Sequence, residues 1–203
     1  MTKIYLIQER LKQALLGEKA QYIMAPENRK DLVKSINSQK IQDAAIMLVL
    51  FYKEEQLHCI LLQRAQYKGY HSGQICFPGG KFEIAKDKNL KETAIRESYE
   101  EIHLSRSQYK IIGQLSPLII PISKIRIQSF VCFAHDISNI KPDGYETTHI
   151  FKIPLNFFTE KKNINSFIKN KLEYPYYDYK TIKIWGATAM IMSELIETTR
   201  DIL

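Results

Sequence analysis

The sequence predicts a single α/β domain on three observations. Apolar runs rich in Ile, Leu and Val, the longest being the nine residues 44–52, have the length of strands. Apolar residues at helical spacing recur near both ends of the chain and in 89–102. The composition of the 203 residues, 45% hydrophobic and 25% charged with a mean hydropathy of −0.26, is that of a globular protein and excludes a disordered or fibrous chain. A membrane span needs roughly 20 consecutive apolar residues, so none is expected.

Along the chain, Ile4, Ile7, Leu11, Ala14 and Leu15 follow a three-four spacing, so residues 1–20 are expected to form a helix that Gly17 ends. Pro26 and Asn28 then open an irregular stretch reaching Asp43. The run 44–52 reads as a central strand and His58–Arg64 as its partner, with Lys53-Glu54-Glu55-Gln56 turning between them; helix is the alternative for either short run. Residues 66–88 are rich in loop signals, with Gly69, Gly73, Pro78, Gly79 and Gly80. Asn89–Ile102 reads as one helix, capped by Asn89 with Glu92 three residues on. Strands are expected at Ile111–Leu115, Ile125–Phe133 and Thr148–Ile153. The Lys-rich residues 160–174 read as a solvated loop or short helix. Tyr179–Trp185 reads as a last strand and Ala187–Thr199 as a closing helix, with Ile191 and Leu195 on one stripe. No internal repeat is present. Residues 1–40 are expected to be a helical extension packed on a domain of residues 41–203.

Charge and cysteine usage bound the partners. Lys and Arg number 29 against 22 Asp and Glu, a formal net charge of +7, which favours an acidic partner. The lysines are dispersed and no RNA-binding aromatic motif occurs, so nucleic acid ranks below a phosphorylated small molecule. The segment from Met1 lacks the charged-then-apolar pattern of a secretory leader. Cys59, Cys76 and Cys132 are isolated and form no metal-binding or disulfide spacing, so buried thiols in a reducing cytoplasm are expected.

The most informative segment is Arg96-Glu97-Ser98-Tyr99-Glu100-Glu101. On a helix the spacing brings Glu97, Glu100 and Glu101 toward one face and leaves Ile95, Tyr99 and Ile102 to pack inward on others. Like charges so placed repel by about 0.2–0.5 kcal/mol per pair, and a divalent cation with a taste for oxygen ligands relieves that. A solvated acidic face is the competing reading. Against it, residues 80–104 hold six acids and five bases, a net −1 within a basic chain. Ahead of the helix, Phe77-Pro78-Gly79-Gly80-Lys81 offers a turn whose glycines let the backbone approach an ion or phosphate closely.

Gly80, then Arg96-Glu97 sixteen residues on, then Glu100-Glu101, resembles the Nudix box, written generically G-x5-E-x7-R-E-U-x-E-E-x-G-U with U aliphatic. Upstream, Leu61-Leu62-Gln63-Arg64-Ala65, His71-Ser72-Gly73-Gln74 and Phe77-Pro78-Gly79-Gly80 resemble the coenzyme A pyrophosphatase branch of that family. Leu115-Ser116-Pro117-Leu118 and Ile184-Trp185-Gly186-Ala187-Thr188-Ala189 do so downstream. The departures are a longer stretch between Gly80 and Arg96, Lys88 beside Asp87 where the box has its first Glu, His103 where it has Gly, and no Arg near Lys68-Gly69.

The resemblance implies the Nudix fold, a mixed β-sheet sandwiched between helices, and a diphosphatase using Mg²⁺ or Mn²⁺. It implies Glu97 and Glu101 as metal ligands, with Glu100 as a third ligand or acting through water, and Arg96 as the group that orients the carboxylates. Arg64, His71, Gln74, Gly79, Gly80 and Lys81 are the implied substrate contacts. Glu100, Glu146 and His149 are the candidates for general base. The implied substrate is coenzyme A or a thioester of it; another nucleoside diphosphate derivative such as ADP-ribose, NADH or a dinucleoside polyphosphate, and a non-hydrolytic nucleotide sensor, are the alternatives. No nucleic acid or membrane partner is expected, and a homodimer is left open.

Overall fold

The structure, a computed structural model, describes residues 2–36, 41–67 and 71–203. Its central strand, β1 (Gln42–Lys53), pairs antiparallel with β2 (Gln56–Arg64) and parallel with β7 (Ile125–Ala134), Gln42 lying opposite Ile125 and Leu50 opposite Phe133. Outside β2 lie β3 (Ile75–Cys76) and β8 (Thr147–Pro154); outside β7 lie β5 (Tyr109–Gln114) and β6 (Leu118–Ile120). The short β4 (Gly79–Lys81) pairs with the first half of β1, placing Gly80 opposite Ala45. The result is a mixed eight-stranded sheet.

Both faces of this sheet are covered, which is why β1 reads as an unbroken apolar run instead of an alternating one. On one face Ala45, Met47, Val49, Ile60 and Leu62 pack against Ala94 and Ile102 of α4 (Leu90–Ile102). On the other, Ile46, Leu48, Leu50, Cys59 and Leu61 pack with Met190, Ile191 and Leu195 of α6 (Gly186–Thr199) and with Ile7 and Leu11 from the N-terminal segment. The β1–β2 turn has two residues, Glu54 and Glu55, both with positive φ (50° and 61°), the backbone of a two-residue hairpin turn. Cys59 and Cys132 are buried free thiols, and Cys76 is a half-buried one. No helix among the described residues is long and apolar enough to cross a membrane.

Five expectations are corrected. Residues 1–20 do not form one helix: α1 spans Lys3–Arg10, and Gly17 (φ 53°) opens α2 (Glu18–Gln21) instead of ending α1. Tertiary contacts override the local spacing here. The side chain of Leu11 occupies the space where a Cβ on Gly113 would stand, and the Gly17 amide donates to the buried carboxylate of Glu194 on α6 (3.2 Å). The stretch expected to be irregular up to Asp43 also contains a 3₁₀ turn at Tyr22–Met24 and α3 (Arg29–Lys34).

The Lys-rich 160–174 segment is not a solvated loop. It supplies β9 (Ile164–Lys169) and the start of β10 (Leu172–Tyr179), which with β11 (Ile182–Trp185) make a second, three-stranded antiparallel sheet. Tyr179–Trp185 is accordingly not one strand but the end of β10, a turn with Lys180 at φ 53°, and β11. Aromatic rings hold this sheet on both faces. Tyr177 meets Phe158 of α5 (Leu155–Thr159) edge-on at 5.0 Å, while Phe167, Tyr174 and Trp185 cluster on the other side. Lys169 stands 5.2 Å over Trp185 and Lys183 4.8 Å over Tyr176, so these lysines cover rings.

The fifth correction concerns α4. Its inward stripe is Ala94, Ser98, Glu101 and Ile102, all buried, which leaves Tyr99 58% exposed instead of packed inward. Asn89 caps the helix as expected, accepting from the Glu92 amide at 3.1 Å. His103 adopts the left-handed conformation (φ 58°, ψ 28°) that the box gives to Gly, and the His103 and Leu104 amides close the helix by donating to Tyr99 O and Ser98 O.

Candidate active site

The site forms where β4 runs under α4. Gly79 has φ 152°, and a Cβ there would fall within 2.6 Å of the β1 backbone at Ile46, so only Gly fits. Its amide donates to Glu101 Oε2 at 2.9 Å. At Gly80 a Cβ would overlap the Glu97 carboxylate, which lies directly over that α-carbon. The two glycines therefore bring the strand backbone against two carboxylates one helical turn apart.

Those carboxylates lie in different surroundings from Glu100. Glu101 is 4% exposed, and burial pushes its carboxyl up to about 8, against the lowering effect of the Gly79 amide and the Arg64 charge. Burial also raises Glu97, with Arg96 opposing it. Glu146, in the loop just before β8, adds its repulsion to both. Glu100 is half exposed and bound by Arg96. Among the described residues, no three His, Cys, Asp or Glu side chains gather as a metal-binding cluster. The donor set itself fits a divalent cation at Glu97 and Glu101: two hard oxygen ligands, partly desolvated, within the field of a third acid.

Arg96 holds the arrangement. Its Nε and Nη2 donate to the two oxygens of Asp87 at 2.8 and 2.9 Å, and its Nη1 donates to Glu97 Oε1 and Glu100 Oε2, both at 2.9 Å. The Asp87 side chain is 1% exposed and also accepts from the Thr93 hydroxyl and the Glu83 amide. Arg96 above all, with these bonds, keeps its carboxyl well below the usual carboxylate range. Asp87, noticed in the sequence only as the acid beside Lys88, thus anchors the arginine that sets Glu97.

The other implied contacts separate into two groups. Arg64, Gly79 and Gly80 border the carboxylates, Arg64 through its charge on Glu101 and an Nη1 3.9 Å from Cys76 Sγ. Lys81 has an exposed side chain, and its carbonyl accepts from Arg96 Nη2 at 3.4 Å. His71 and Gln74 bond each other, Nδ1 to Oε1 at 2.9 Å, within a turn whose Gly73 amide donates to Ala65 O. His71 Nε2 is buried with no partner among the described residues. The Lys68-Gly69 position lies outside the described residues. His149 is exposed on β8, its ring 5.9 Å from that of Phe151.

Asp143 and Tyr145, just ahead of the Glu146 that the sequence offered as a candidate base, were missed by sequence reasoning. Asp143 accepts from the amides of Tyr145, Glu146 and Thr147, and its own amide donates to Glu101 O. The Asp-Gly pair at 143–144 is a turn signal that marks this loop.

The family model for the NUDIX domain matches residues 40–151. The mitochondrial Nudix hydrolase 15 of Arabidopsis thaliana is 30% identical over 202 residues, covering 93% of this chain and 70% of the relative. A peroxisomal coenzyme A diphosphatase of Caenorhabditis elegans is 29% identical, covering 76% and 67%. A probable nudix hydrolase of Schizosaccharomyces pombe is 28% identical over 85% of this chain, which spans 61% of that relative. Among solved structures, a Nudix hydrolase from M. smegmatis has a similar fold, with a TM-score of 0.56 at 14% identity over 80% of this chain and 88% of that one. A MutT/nudix family protein from Enterococcus faecalis reaches 0.55 at 16% identity, over 99% and 75%.

Proposed function

The chain belongs to the Nudix hydrolase family and is an enzyme that hydrolyses nucleoside diphosphate derivatives; from that premise we propose that its substrate is coenzyme A or a thioester of it. The products would be 3′,5′-ADP and (acyl-)4′-phosphopantetheine. The observation that carries the reading is the fit of the Glu97 carboxylate over Gly80 beside the Gly79–Glu101 bond, because it joins the box to the Phe77–Gly80 signature in one site. The run from Leu61 to Gly80 supports coenzyme A among the possible diphosphates, as does the similarity to a coenzyme A diphosphatase.

In this reading Glu97 and Glu101 would hold Mg²⁺ or Mn²⁺, with Glu100, one residue before Glu101, acting through water. A bound divalent cation screens the diphosphate charge and makes bound water more acidic. Arg96 is spent on Asp87, Glu97 and Glu100, so it positions carboxylates and does not grip substrate. Arg64 and Lys81 offer cations to the phosphates. Hydrolysis forms a bond from a water oxygen to one phosphorus and breaks the bridging P–O bond, and the water's proton needs a base. Glu146 is the best placed of the three candidates. It acts on both Glu97 and Glu101 and lines the adjoining cavity, whereas Glu100 is tied to Arg96 and His149 lies beside Phe151. Residues 41–203 are the catalytic domain in this reading, residues 1–40 an extension, and the setting is cytoplasmic.

The test is a substrate panel of coenzyme A, acetyl-coenzyme A, ADP-ribose and NADH with Mg²⁺ or Mn²⁺, products identified by mass. Coenzyme A should be cleaved faster than ADP-ribose and NADH. Equal or faster cleavage of ADP-ribose would overturn the substrate assignment and leave the family assignment standing.

A further inference from the structure

Beside the carboxylates, a cavity of about 400 Å³ opens between the end of β2 and the loop before β8, lined by Arg64, Ala65, Gln66, Tyr67, Tyr145 and Glu146. Two of its walls carry tyrosines, Tyr67 from the β2 side and Tyr145 from the loop. Tyr145 is 87% exposed, so core packing does not account for a large aromatic ring there.

The backbone beneath that ring is fixed. Asp143 Oδ1 accepts from the Tyr145 amide at 3.2 Å and the Thr147 amide at 2.8 Å, and its Oδ2 accepts from the Glu146 amide at 3.2 Å. The Gly144 amide donates to Thr147 O, and the Ala65 amide donates to Glu146 O at 2.7 Å, tying the loop to β2. The Asp143 amide donates to Glu101 O at 3.1 Å, tying it to α4 as well. An exposed aromatic ring on an anchored backbone is a low-entropy stacking surface. Two other residues that line the cavity, Glu146 next to Tyr145 in the chain and Arg64, act electrostatically on Glu101, so the cavity that carries the exposed ring adjoins the carboxylates.

We propose that Tyr145 is the residue on which the heteroaromatic base of the substrate's nucleoside stacks in this cavity, with Asp143 holding the loop in place. The proposal rests on the nucleoside diphosphate reading above and names the part of the substrate that this wall takes. Every base has a π-face, so the contact raises affinity for nucleotides as a class and selects weakly among bases. It belongs to binding and not to bond cleavage, so it acts through KM.

The test compares Tyr145→Ala and Tyr145→Trp with the wild type. Melting curves establish that each variant is folded; an exposed site predicts unchanged melting. Tyr145→Ala should raise the KM of the wild type's best nucleotide substrate roughly tenfold with kcat within about twofold, and Tyr145→Trp should restore it. Calorimetric binding of ADP should weaken by a similar factor in the Ala variant, while binding of 4′-phosphopantetheine should not change. The ADP measurement needs no turnover, so it separates this proposal from the substrate assignment: a wild type that cleaves no member of the panel but binds ADP through Tyr145 leaves the proposal standing. Unchanged ADP binding in Tyr145→Ala, no ADP binding by the wild type, equal weakening for 4′-phosphopantetheine, or failure of Trp to restore KM would each overturn it.

Discussion

Gly80 has no room for a side chain because the Glu97 carboxylate lies over it, and Gly79 donates to Glu101, so two residues of a short strand register two acids of a helix. Glu97→Gln and Glu101→Gln change charge at nearly constant shape. Each should cut kcat by at least about a hundredfold with the melting temperature little altered, because the ligand is lost while the packing is kept. Near-wild-type rates for both at saturating Mg²⁺ would sink the metal role. Glu101 also makes the metal-free protein pH-sensitive. Its carboxyl is raised to about 8 in the fold, against about 4.3 in the unfolded chain, so across that window the folded form binds more protons. Its contribution is therefore fully present below about pH 4.3 and is lost as pH rises through 8. Thermal melts in EDTA should show Glu101→Gln losing less stability between pH 5 and 9 than the wild type. Parallel profiles would mean that the carboxyl is not held protonated.

At the scale of elements, one buried acid is a principal tie of the N-terminal segment around Gly17. Glu194 of α6 is fully buried and accepts from the Gly17 amide, the Ser116 amide and Gln21 Nε2 at 3.2, 3.1 and 2.8 Å. Glu194→Ala leaves three donors without their acceptor and should cost about 2–4 kcal/mol, with faster proteolytic cutting near Gly17. An unchanged melting temperature and cutting rate would show that the remaining ties, the apolar contacts of Ile7 and Leu11 and the bonds of Arg10 to Asp201 and of Ser193 to Ala20 O, suffice to hold the segment. The same element explains why the sequence misleads there: Ile4, Ile7 and Leu11 keep helical spacing, but acceptors over 170 residues away decide where the backbone turns. β1, β2, β7 and α6 are legible because burial on both faces leaves long apolar runs, and α4 because Asn89 and the Arg96–Glu101 pattern are local. β9 and β10 are not, since lysines over aromatic rings look like solvated lysines in a linear string, whereas β11 falls within the strand expected at Tyr179–Trp185. The acidic face of Glu97, Glu100 and Glu101 could be read from spacing, and the resemblance to the box singled out Glu97 and Glu101, whereas Asp87 and Asp143 matter through partners that only the fold supplies. Tyr145 is one of twelve tyrosines until its exposure is known.

Over the whole molecule, a basic chain surrounds an acidic centre. The formal charge is +7, yet residues 80–104 are net −1, so the excess of Lys and Arg lies outside the segment that carries Glu97 and Glu101. That distribution suits a substrate with anionic groups beyond the diphosphate being cleaved. The 3′-phosphate of coenzyme A is such a group. A hydrogen bond to a charged partner is worth about 1.5–3 kcal/mol, so 3′-dephospho-coenzyme A should show a kcat/KM lower by roughly ten- to a hundredfold. A contact made by an exposed lysine is screened as the Debye length shrinks from about 10 Å at 0.1 M salt to about 3 Å at 1 M, so the preference should narrow with added salt. A preference that persists unchanged at 1 M would place the 3′-phosphate in a desolvated pocket. No preference at any salt would mean that the basic surface plays no part in choosing the substrate, and selection would then rest on the base and the pantetheine arm.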